Sequence, residues 1–327
     1  MKAIVFERYG PPEVLELREV EKPVPGADEV LVQVHAASVN AADWRVMRAD
    51  PFLVRLMGSG LLRPKHPILG ADVAGRVEAV GKKVTQFEPG DEVYGDLSTV
   101  GNGAFAEYVA APEKMLALKP VNLSFEEAAT VPLAAVTALQ GLRDNGQIQS
   151  GQRVLINGAS GGVGTFAVQI AKAFGAEVTA VCSTGKLEQA RSLGADHVID
   201  YTEEDFTKKG QRYDLILAVN GYHPIGAYRR SLSEKGRYVS AGGAMAQIFQ
   251  ALLLGPAISR VGDKKMGALT MEPRQSDLLV MKELLEAGDV TSLIERRYPL
   301  RETADAIRYV EKGHAGGKVV VVIREEV

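Results

Sequence analysis

A glycine-rich turn is the segment of this chain whose residue types and spacing point most directly to chemistry. It reads Gly158-Ala159-Ser160-Gly161-Gly162-Val163-Gly164, after the apolar run 153–157 and at the start of an amphipathic stretch, 162–174. Such glycines let a strand turn sharply into a helix and let the backbone approach a pyrophosphate, which the helix N-terminus attracts. The turn predicts dinucleotide binding, with Ser160, Gly161, Gly162 and Val163 at the phosphates. An incidental glycine-rich loop is the alternative.

The residues after the second predicted strand bear on which dinucleotide binds. A site for NAD usually carries an acid there, about 20 residues past the first glycine, to bond the ribose 2′-hydroxyl. This chain reads Val181-Cys182-Ser183-Thr184-Gly185-Lys186, with no acid in that segment. Hydroxyls and an ammonium suit a 2′-phosphate, so we expect NADPH, held by Ser183, Thr184 and Lys186. The alternative is that a hydroxyl only caps the next helix and that the lysine is solvated.

Few residues of the chain suit metal or nucleophilic chemistry. One cysteine, Cys182, in 327 residues excludes an internal disulfide framework and an all-cysteine metal site. Cys182 is interpreted as a bystander and not as a nucleophile. The histidines show no close ligand spacing; they stand at positions 35, 66, 197, 223 and 314.

The elements that surround the glycine turn alternate between strand and helix. Strands are predicted at 154–157, 177–182, 197–199, 213–219 and 236–240, and helices at 162–174 and 186–193. This alternation predicts a doubly wound parallel sheet with helices on both faces.

The first 120 residues have a different pattern. Short stretches with strand-like composition, such as 29–36, 73–80 and 105–110, are separated by glycine and proline. They predict a β-rich, partly open barrel. Ser124 and Glu127 have the spacing of a capping box, which predicts that a helix begins there.

Composition and hydropathy exclude several classes of partner. With 38 basic and 41 acidic residues the net charge is −3, which indicates no nucleic-acid partner. Charge appears too early for a signal peptide, so we expect a cytoplasmic protein. The apolar stretch 245–258 contains Gln247, Gln250 and Pro256 and is shorter than the ~20 residues that a membrane span needs. It is interpreted as a buried helix, with membrane contact as the alternative.

Several separated segments, taken together, resemble a known family. They are VNAAD at 39–43, LGADVAG at 69–75, GDEVYG at 90–95, AATVPLAAVTA at 128–138, the glycine turn, and GHAGGKV at 313–319. In this order they are similar to the medium-chain dehydrogenase/reductase superfamily, most of all to its zinc-free quinone oxidoreductase and enone reductase branch. The resemblance implies a GroES-like catalytic domain at 1–124 and 271–327, and a Rossmann NADPH-binding domain at 125–270.

The chain departs from the zinc-dependent members of that family at each catalytic ligand position. Asn40, Ala71 and Leu133 stand where those enzymes carry zinc ligands, and the four-cysteine structural zinc lobe is also missing. The resemblance therefore implies a metal-free enzyme, for which alcohol oxidation is disfavoured because no Lewis acid stabilises an alkoxide.

The same resemblance implies roles for individual residues. Around the cofactor the resemblance implies Thr137, Asn157, Tyr201, Val219, Asn220, Gly242, Met271 and Lys318. Of these, Tyr201 would lie near the adenosine phosphate and Lys318 near the phosphates or ribose. Asn40, Asp43 and Tyr94 are implied near the reaction. Asn40 would donate a hydrogen bond to a substrate oxygen. Asp43 is equally interpreted as a partner that holds the loop, and Tyr94 as a packing residue. The apolar segment 51–63 is interpreted either as a wall over an apolar substrate or as ordinary packing.

The function that follows is hydride transfer from NADPH to a small apolar quinone or enone, with the proton coming from solvent or the ribose hydroxyl. Two alternatives stay open. One is an enoyl-thioester reductase, and the other is an NADPH-binding sensor or structural protein with little catalysis. The resemblance also implies a homodimer.

Overall fold

The structure is a computed structural model that describes residues 1–324, apart from the side chains of residues 57 and 58. Within that range the chain forms fifteen strands and nine α-helices. The strands are β1 (Lys2–Val5), β2 (Glu16–Glu19), β3 (Glu29–Val39), β4 (Asp72–Val80), β5 (Glu92–Asp96), β6 (Tyr108–Pro112), β7 (Leu116–Leu118), β8 (Arg153–Asn157), β9 (Glu177–Cys182), β10 (His197–Asp200), β11 (Tyr213–Ala218), β12 (Leu232–Ser240), β13 (Lys265–Ala268), β14 (Ile294–Pro299) and β15 (Lys318–Val322). The α-helices are α1 (Ala41–Arg48), α2 (Phe125–Ala129), α3 (Pro132–Gln140), α4 (Gly162–Ala173), α5 (Leu187–Ser192), α6 (Ile225–Ser231), α7 (Met245–Val261), α8 (Gln275–Glu286) and α9 (Thr303–Glu311).

The chain divides into two compact units. We name them the β unit, formed by residues 1–133, 273–286 and 292 onwards, and the α/β unit, formed by residues 134–272 and 287–291. Each unit is built from more than one segment of the chain.

The α/β unit contains a six-stranded parallel sheet in the order β10-β9-β8-β11-β12-β13. Its central strands are almost continuously apolar; Leu155, Ile156 and Leu217, for example, have no exposed surface. Such runs are typical of parallel strands that are covered on both faces. The predicted doubly wound parallel sheet is confirmed.

The direction in which the sheet is wound reverses between β8 and β11. The chain moves from β8 outward to β9 and β10, and then returns to place β11 on the other side of β8. The register sets Asn157 beside Ala218 at the carboxyl ends of these two strands. Parallel sheets bind their ligands at such a reversal, because the connections leave on opposite faces and open a crevice there.

The β unit contains a seven-stranded sheet in the order β14-β15-β3-β4-β5-β7, with β6 also paired to β3. The path of pairings in the described chain is open and forms no closed barrel. β15, near the end of the chain, pairs antiparallel with β3, and the two strands bury Val32, Val34, Val319 and Val321 in one core. The predicted GroES-like β domain is confirmed in its fold.

Helix α7 contradicts the interpretation of 245–258 as a buried helix. Only Gln247, Ala251 and Gly255 are buried, whereas Phe249 and Leu253 are 45% and 74% exposed. The physical reason is that α7 packs on β13, the edge strand of its sheet, so one side of the helix is covered. In the part of the chain that the structure describes, no helix combines the length and apolar character needed to cross a bilayer.

Candidate cofactor and substrate sites

The glycine turn connects β8 to α4 in a conformation that requires glycine at two positions. Gly158 has a φ of +88°, and a Cβ there would lie 2.7 Å from the Cβ of Asn220. A Cβ on Gly164 would lie 2.1 Å from the carbonyl oxygen of Gly158. These glycines therefore let the turn close on itself and on the loop after β11.

Gly161 differs because its missing side chain leaves open space. It caps α4, with its carbonyl oxygen accepting a bond of 2.9 Å from the N–H of Thr165. A Cβ on Gly161 would find only the Gly158 oxygen within 4 Å, at 3.9 Å. Ser160, Gly162 and Val163 beside it are half-buried. The turn thus presents an uncrowded backbone and the positive end of a twelve-residue helix, an arrangement that suits a phosphate.

A chain of buried hydrogen bonds links the carboxyl ends of β8 and β12. The Asn157 side-chain N–H₂ donates to the hydroxyl of Tyr228 at 2.8 Å, and this hydroxyl donates to Gln247 at 2.8 Å. The amide of Gln247 donates in turn to the carbonyl oxygen of Gly242 at 3.1 Å. Burial raises the pKa of Tyr228, which keeps its hydroxyl neutral. The amides of Val219 and Asn220 donate to the backbone oxygen of Asn157.

This network brings together four of the predicted cofactor residues, namely Asn157, Val219, Asn220 and Gly242. Sequence reasoning missed Tyr228 and Gln247, which hold them. The only available signal was Gln247, a polar residue inside an apolar stretch; it is 2% exposed and faces inward. A buried amide must find hydrogen-bond partners, so its position in that stretch indicated an internal network.

The ends of β9 and β10 lie side by side, and their rim carries the residues predicted for the 2′-phosphate. Thr184 and Tyr201 are exposed, whereas Ser183 and Lys186 are half-buried. The register pairs Asp200 with Cys182, so the structure also places the carboxylate of Asp200 against Thr184. The sequence rule missed this acid because it searches the end of β9, whereas Asp200 comes from the next strand.

Thr137 and Met271 lie on two segments that the side-chain amide of Gln140 connects. Thr137 is on α3 and is 6% exposed, while Met271 is half-buried in the loop after β13. The side chain of Gln140, one turn after Thr137, donates to the backbone oxygen of Glu272 at 2.7 Å and accepts from its N–H at 3.1 Å. Gln140 therefore fixes the Met271 loop to α3. The sequence carried no signal for this pairing.

In the β unit, Asp43 closes the start of α1. Its carboxylate accepts the backbone N–H of Asn40 at 2.7 Å and that of Gly70 at 3.2 Å, and it is 3% exposed. Burial raises the pKa of Asp43 to about 7. These contacts agree with the interpretation of Asp43 as a partner that holds the loop.

Asn40 and Lys318 belong to one buried polar cluster centred on Asp72. The Lys318 ammonium donates to the side-chain oxygen of Asn40 at 2.6 Å and to Asp72 at 3.2 Å. The amide of Asn40 donates to Asp72 at 2.8 Å, as do the hydroxyl of Ser38 at 2.6 Å and the backbone N–H of Leu133 at 2.8 Å. Lys318 is 3% exposed. Its ammonium is thus bonded inside the β unit. The prediction that Lys318 lies near the cofactor phosphates or ribose did not anticipate these bonds.

Strand β5 carries two further buried residues, Asp96 beside the Asp72 cluster and Tyr94. Asp96 lies opposite Asp72 in the β4–β5 register, and burial together with the charge of Asp72 raises its pKa to about 7. Tyr94 is completely buried, and its hydroxyl donates to the carbonyl oxygen of Leu278 on α8 at 2.6 Å. This bond supports a packing role for Tyr94, and burial raises its pKa so that it stays neutral.

At the three positions that the resemblance aligns with catalytic zinc ligands, Asn40, Ala71 and Leu133 carry an amide, a methyl group and an isobutyl group. Across residues 1–324 no group of three or more His, Cys, Asp and Glu side chains could hold a metal ion. Cys182 is buried, which raises the pKa of its thiol.

The segment 51–63 presents many of its apolar side chains to the surface. The side chains of residues 57 and 58 lie outside the described part of the chain. The Tyr9 hydroxyl lies 2.7 Å and 2.6 Å from the carbonyl oxygens of Ser59 and Gly60 and so anchors the segment. The exposed apolar residues are Phe52, Leu53, Leu56, Leu61 and Leu62. These side chains are therefore not packed into the core of the β unit.

Comparison with known proteins identifies the family. An alcohol dehydrogenase GroES-like domain model matches residues 26–121, and a zinc-binding dehydrogenase model matches residues 193–321. The chain is 34% identical to the chloroplast envelope quinone oxidoreductase homolog of Arabidopsis thaliana over 98% of both proteins. The chain belongs to the medium-chain dehydrogenase/reductase family.

Two further matches, one relative and one solved structure, are also oxidoreductases of this kind. The chloroplastic NADPH-dependent alkenal/one oxidoreductase of Arabidopsis thaliana is 35% identical, over 98% of this chain and 79% of that protein. The solved structure of the quinone oxidoreductase from Coxiella burnetii matches 99% of both chains with a TM-score of 0.88 and 30% identity. The resemblance inferred from the motifs is confirmed.

Proposed function

We propose that this chain reduces quinones or α,β-unsaturated carbonyl compounds with NADPH and without a metal. The observation that carries the proposal is the glycine turn at the reversal of the parallel sheet, in a chain whose zinc positions hold Asn40, Ala71 and Leu133. The names of the quinone oxidoreductase and alkenal/one oxidoreductase relatives support the substrate class.

The α/β unit fits a nicotinamide dinucleotide. The open space at Gly161 and the start of α4 suit the pyrophosphate, which Ser160, Gly162 and Val163 would also contact. The rim formed by Asn157, Val219, Asn220 and Gly242 would hold the middle of the molecule, and Thr137 and Met271 its nicotinamide end. Ser183, Thr184, Lys186 and Tyr201 would hold the 2′-phosphate. When bound, NADPH supplies the hydride equivalent.

Zinc does not fit the three positions of the β unit that the resemblance aligns with zinc ligands, namely Asn40, Ala71 and Leu133. Alanine and leucine side chains carry no donor atoms, and the amide of Asn40 is already bonded to Lys318 and Asp72. Without a Lewis acid the substrate must itself be electron-poor, as quinones and enones are. This requirement is the physical reason to favour them over alcohols.

Within the β unit, Asn40 is the residue that we propose to contact the substrate oxygen. The nitrogen of its side-chain amide donates to Asp72 at 2.8 Å, whereas its contact with the carbonyl oxygen of Ser38, at 3.5 Å, is at the outer limit for a hydrogen bond. The ammonium of Lys318 on the amide oxygen polarises the amide, so its N–H groups are stronger donors. Such a donor stabilises negative charge that develops on a substrate oxygen. Asp43 and Lys318 act by holding Asn40.

Three further features complete the proposal: a homodimer, a proton taken from solvent or the ribose hydroxyl, and a small apolar substrate. The expectations of a cytoplasmic location and of no nucleic-acid partner stay predictions.

Turnover by the purified full-length chain tests the proposal. NADPH oxidation is followed by absorbance with 9,10-phenanthrenequinone, a small enone and a crotonyl thioester as acceptors. We expect oxidation with the quinone or the enone, and the same rate after treatment with a metal chelator. Tight NADPH binding without turnover would support a sensor, and turnover of the thioester alone would support an enoyl-thioester reductase.

A further inference from the structure

The ends of β9 and β10 form a rim on which an acidic side chain meets the residues proposed for the 2′-phosphate. The parallel register sets Asp200 beside Cys182, and the N–H of Tyr201 donates to the carbonyl oxygen of Cys182 at 3.1 Å. The two strand ends are therefore joined by backbone hydrogen bonds. The side chains that leave them, from Thr184 on one and Asp200 on the other, share one surface.

The carboxylate of Asp200 is held in place by hydroxyl and amide donors. It accepts the backbone N–H of Thr202 at 2.9 Å and the hydroxyl of Thr202 at 2.7 Å. The hydroxyl of Thr184 also bonds to it and lies 3.1 Å from that of Thr202. These hydrogen bonds, that of Thr184 most of all, hold the pKa of Asp200 below its usual value. Asp200 is therefore ionised at neutral pH.

We propose that Asp200 is a specificity-determining residue that opposes the 2′-phosphate and so limits the preference for NADPH over NADH. This inference rests on the proposed cofactor site. A carboxylate accepts a hydrogen bond from a ribose 2′-hydroxyl but repels a phosphate. Lys186 and the threonine hydroxyls favour the phosphate, so the rim contains groups of both kinds and should accept both dinucleotides.

The size of the effect follows from Coulomb's law in water. Two unit charges about 4 Å apart interact by about 1 kcal/mol in water, which corresponds to about a fivefold change in a dissociation constant. The phosphate carries more than one charge, whereas salt screens an exposed pair. Removing the charge of Asp200 should therefore tighten NADPH binding about five- to tenfold. NADH binding should change less than about twofold, because NADH has no 2′-phosphate.

The test is the Asp200→Asn variant of the full chain, with dissociation constants for NADPH and NADH measured by titration of the cofactor fluorescence. Asparagine keeps the oxygen that accepts from Thr202, so the loop is retained while the charge is lost. The tightening of NADPH binding should shrink as salt is added. The matched control is Glu203→Gln, an exposed acid on the same loop, which should shift the ratio of the two constants much less. Should Asp200→Asn lower the thermal stability, Asp200→Ser provides the same comparison.

The outcomes separate this inference from the proposed function. Equal changes in both constants, no change, or weaker NADPH binding in Asp200→Asn would overturn the inference, because the role of Asp200 would then be structural only. If the wild type binds neither dinucleotide, the proposed function fails and the inference with it. If the wild type binds NADH more tightly, only the NADPH preference fails, and the shift in ratio still decides the role of Asp200.

Discussion

The ammonium of Lys318 lies 2.6 Å from the side-chain oxygen of Asn40, a residue 278 positions earlier in the chain. A fixed cation inside the protein therefore bonds the residue that we propose to contact the substrate. Its partner Asp72 has no exposed surface and receives three further hydrogen bonds, from Ser38, Asn40 and Leu133. Buried charges persist only when they are paired and hydrogen-bonded, and this cluster satisfies both conditions.

Removing the cation of this cluster should destabilise the fold. Lys318→Met leaves the carboxylate of Asp72 buried without its cation, for which we expect a loss of about 3 kcal/mol in the free energy of unfolding. Denaturant titration measures it. The matched control Lys114→Met removes an exposed ammonium and should cost less than about 0.5 kcal/mol. Equal losses in the two variants would contradict the role assigned to the buried ion pair.

The buried carboxyl groups predict how stability depends on pH. The pKa values of Asp43 and Asp96 are raised to about 7, mainly by burial. A carboxyl whose pKa is higher in the folded state stabilises the fold below its unfolded pKa, near 4, and this contribution is lost as the pH rises to 7. These two groups should therefore make the protein less stable at pH 8 than at pH 5.

The Asp96→Asn variant should lose the part of the pH dependence of stability that comes from Asp96. The variant keeps an acceptor for the N–H of Ser98 but cannot ionise beside Asp72. We expect its stability to fall less than that of the wild type between pH 5 and pH 8, by about 2–3 kcal/mol, because the wild-type carboxyl ionises in the unfolded chain from about pH 4 upwards. Denaturant unfolding at both pH values measures this, with the exposed Asp289→Asn as the control. A pH profile that is unchanged in Asp96→Asn would show that Asp96 does not titrate in this range.

The open space at Gly161 predicts a variant that folds but does not bind the cofactor. Gly161 has a φ of −79°, which any residue adopts, so Gly161→Val should leave the melting temperature within a few degrees of the wild type. The new side chain would fill the space proposed for the pyrophosphate, and NADPH binding should weaken more than about 100-fold. Gly262→Val, also in open space but after α7, serves as the control and should bind normally. Binding that survives in Gly161→Val would place the cofactor elsewhere.

Lys186 should distinguish the two dinucleotides in the direction opposite to Asp200. Losing an ammonium that bonds a phosphate should weaken NADPH binding about tenfold in Lys186→Ala, with NADH changed less than about twofold. Titration of cofactor fluorescence measures both, and Lys235→Ala in the same unit is the control. Equal losses of affinity for NADPH and NADH would contradict the role of Lys186 at the 2′-phosphate.

Local features of this chain were predictable because their causes lie within a few residues. The glycine turn is encoded by glycines that no side chain could replace at positions 158 and 164. The capping box of Ser124 and Glu127 is present as the spacing predicts, with each backbone N–H bonded to the side chain of the other residue. The parallel sheet followed from apolar runs that alternate with amphipathic helices.

Register, edge position and long-range pairing were decided only by the tertiary structure. Asp200 meets Thr184 because two strands stand in one particular register, and α7 is half exposed because β13 is an edge strand. The bond of Lys318 to Asn40 spans nearly the whole chain, and that of Asn157 to Tyr228 spans 71 residues. The sequence alone thus determined a dinucleotide turn on an α/β sheet and the family. Which polar groups surround that turn and Asn40 depended on packing, because hydrogen bonds between distant residues leave no periodic pattern in the sequence.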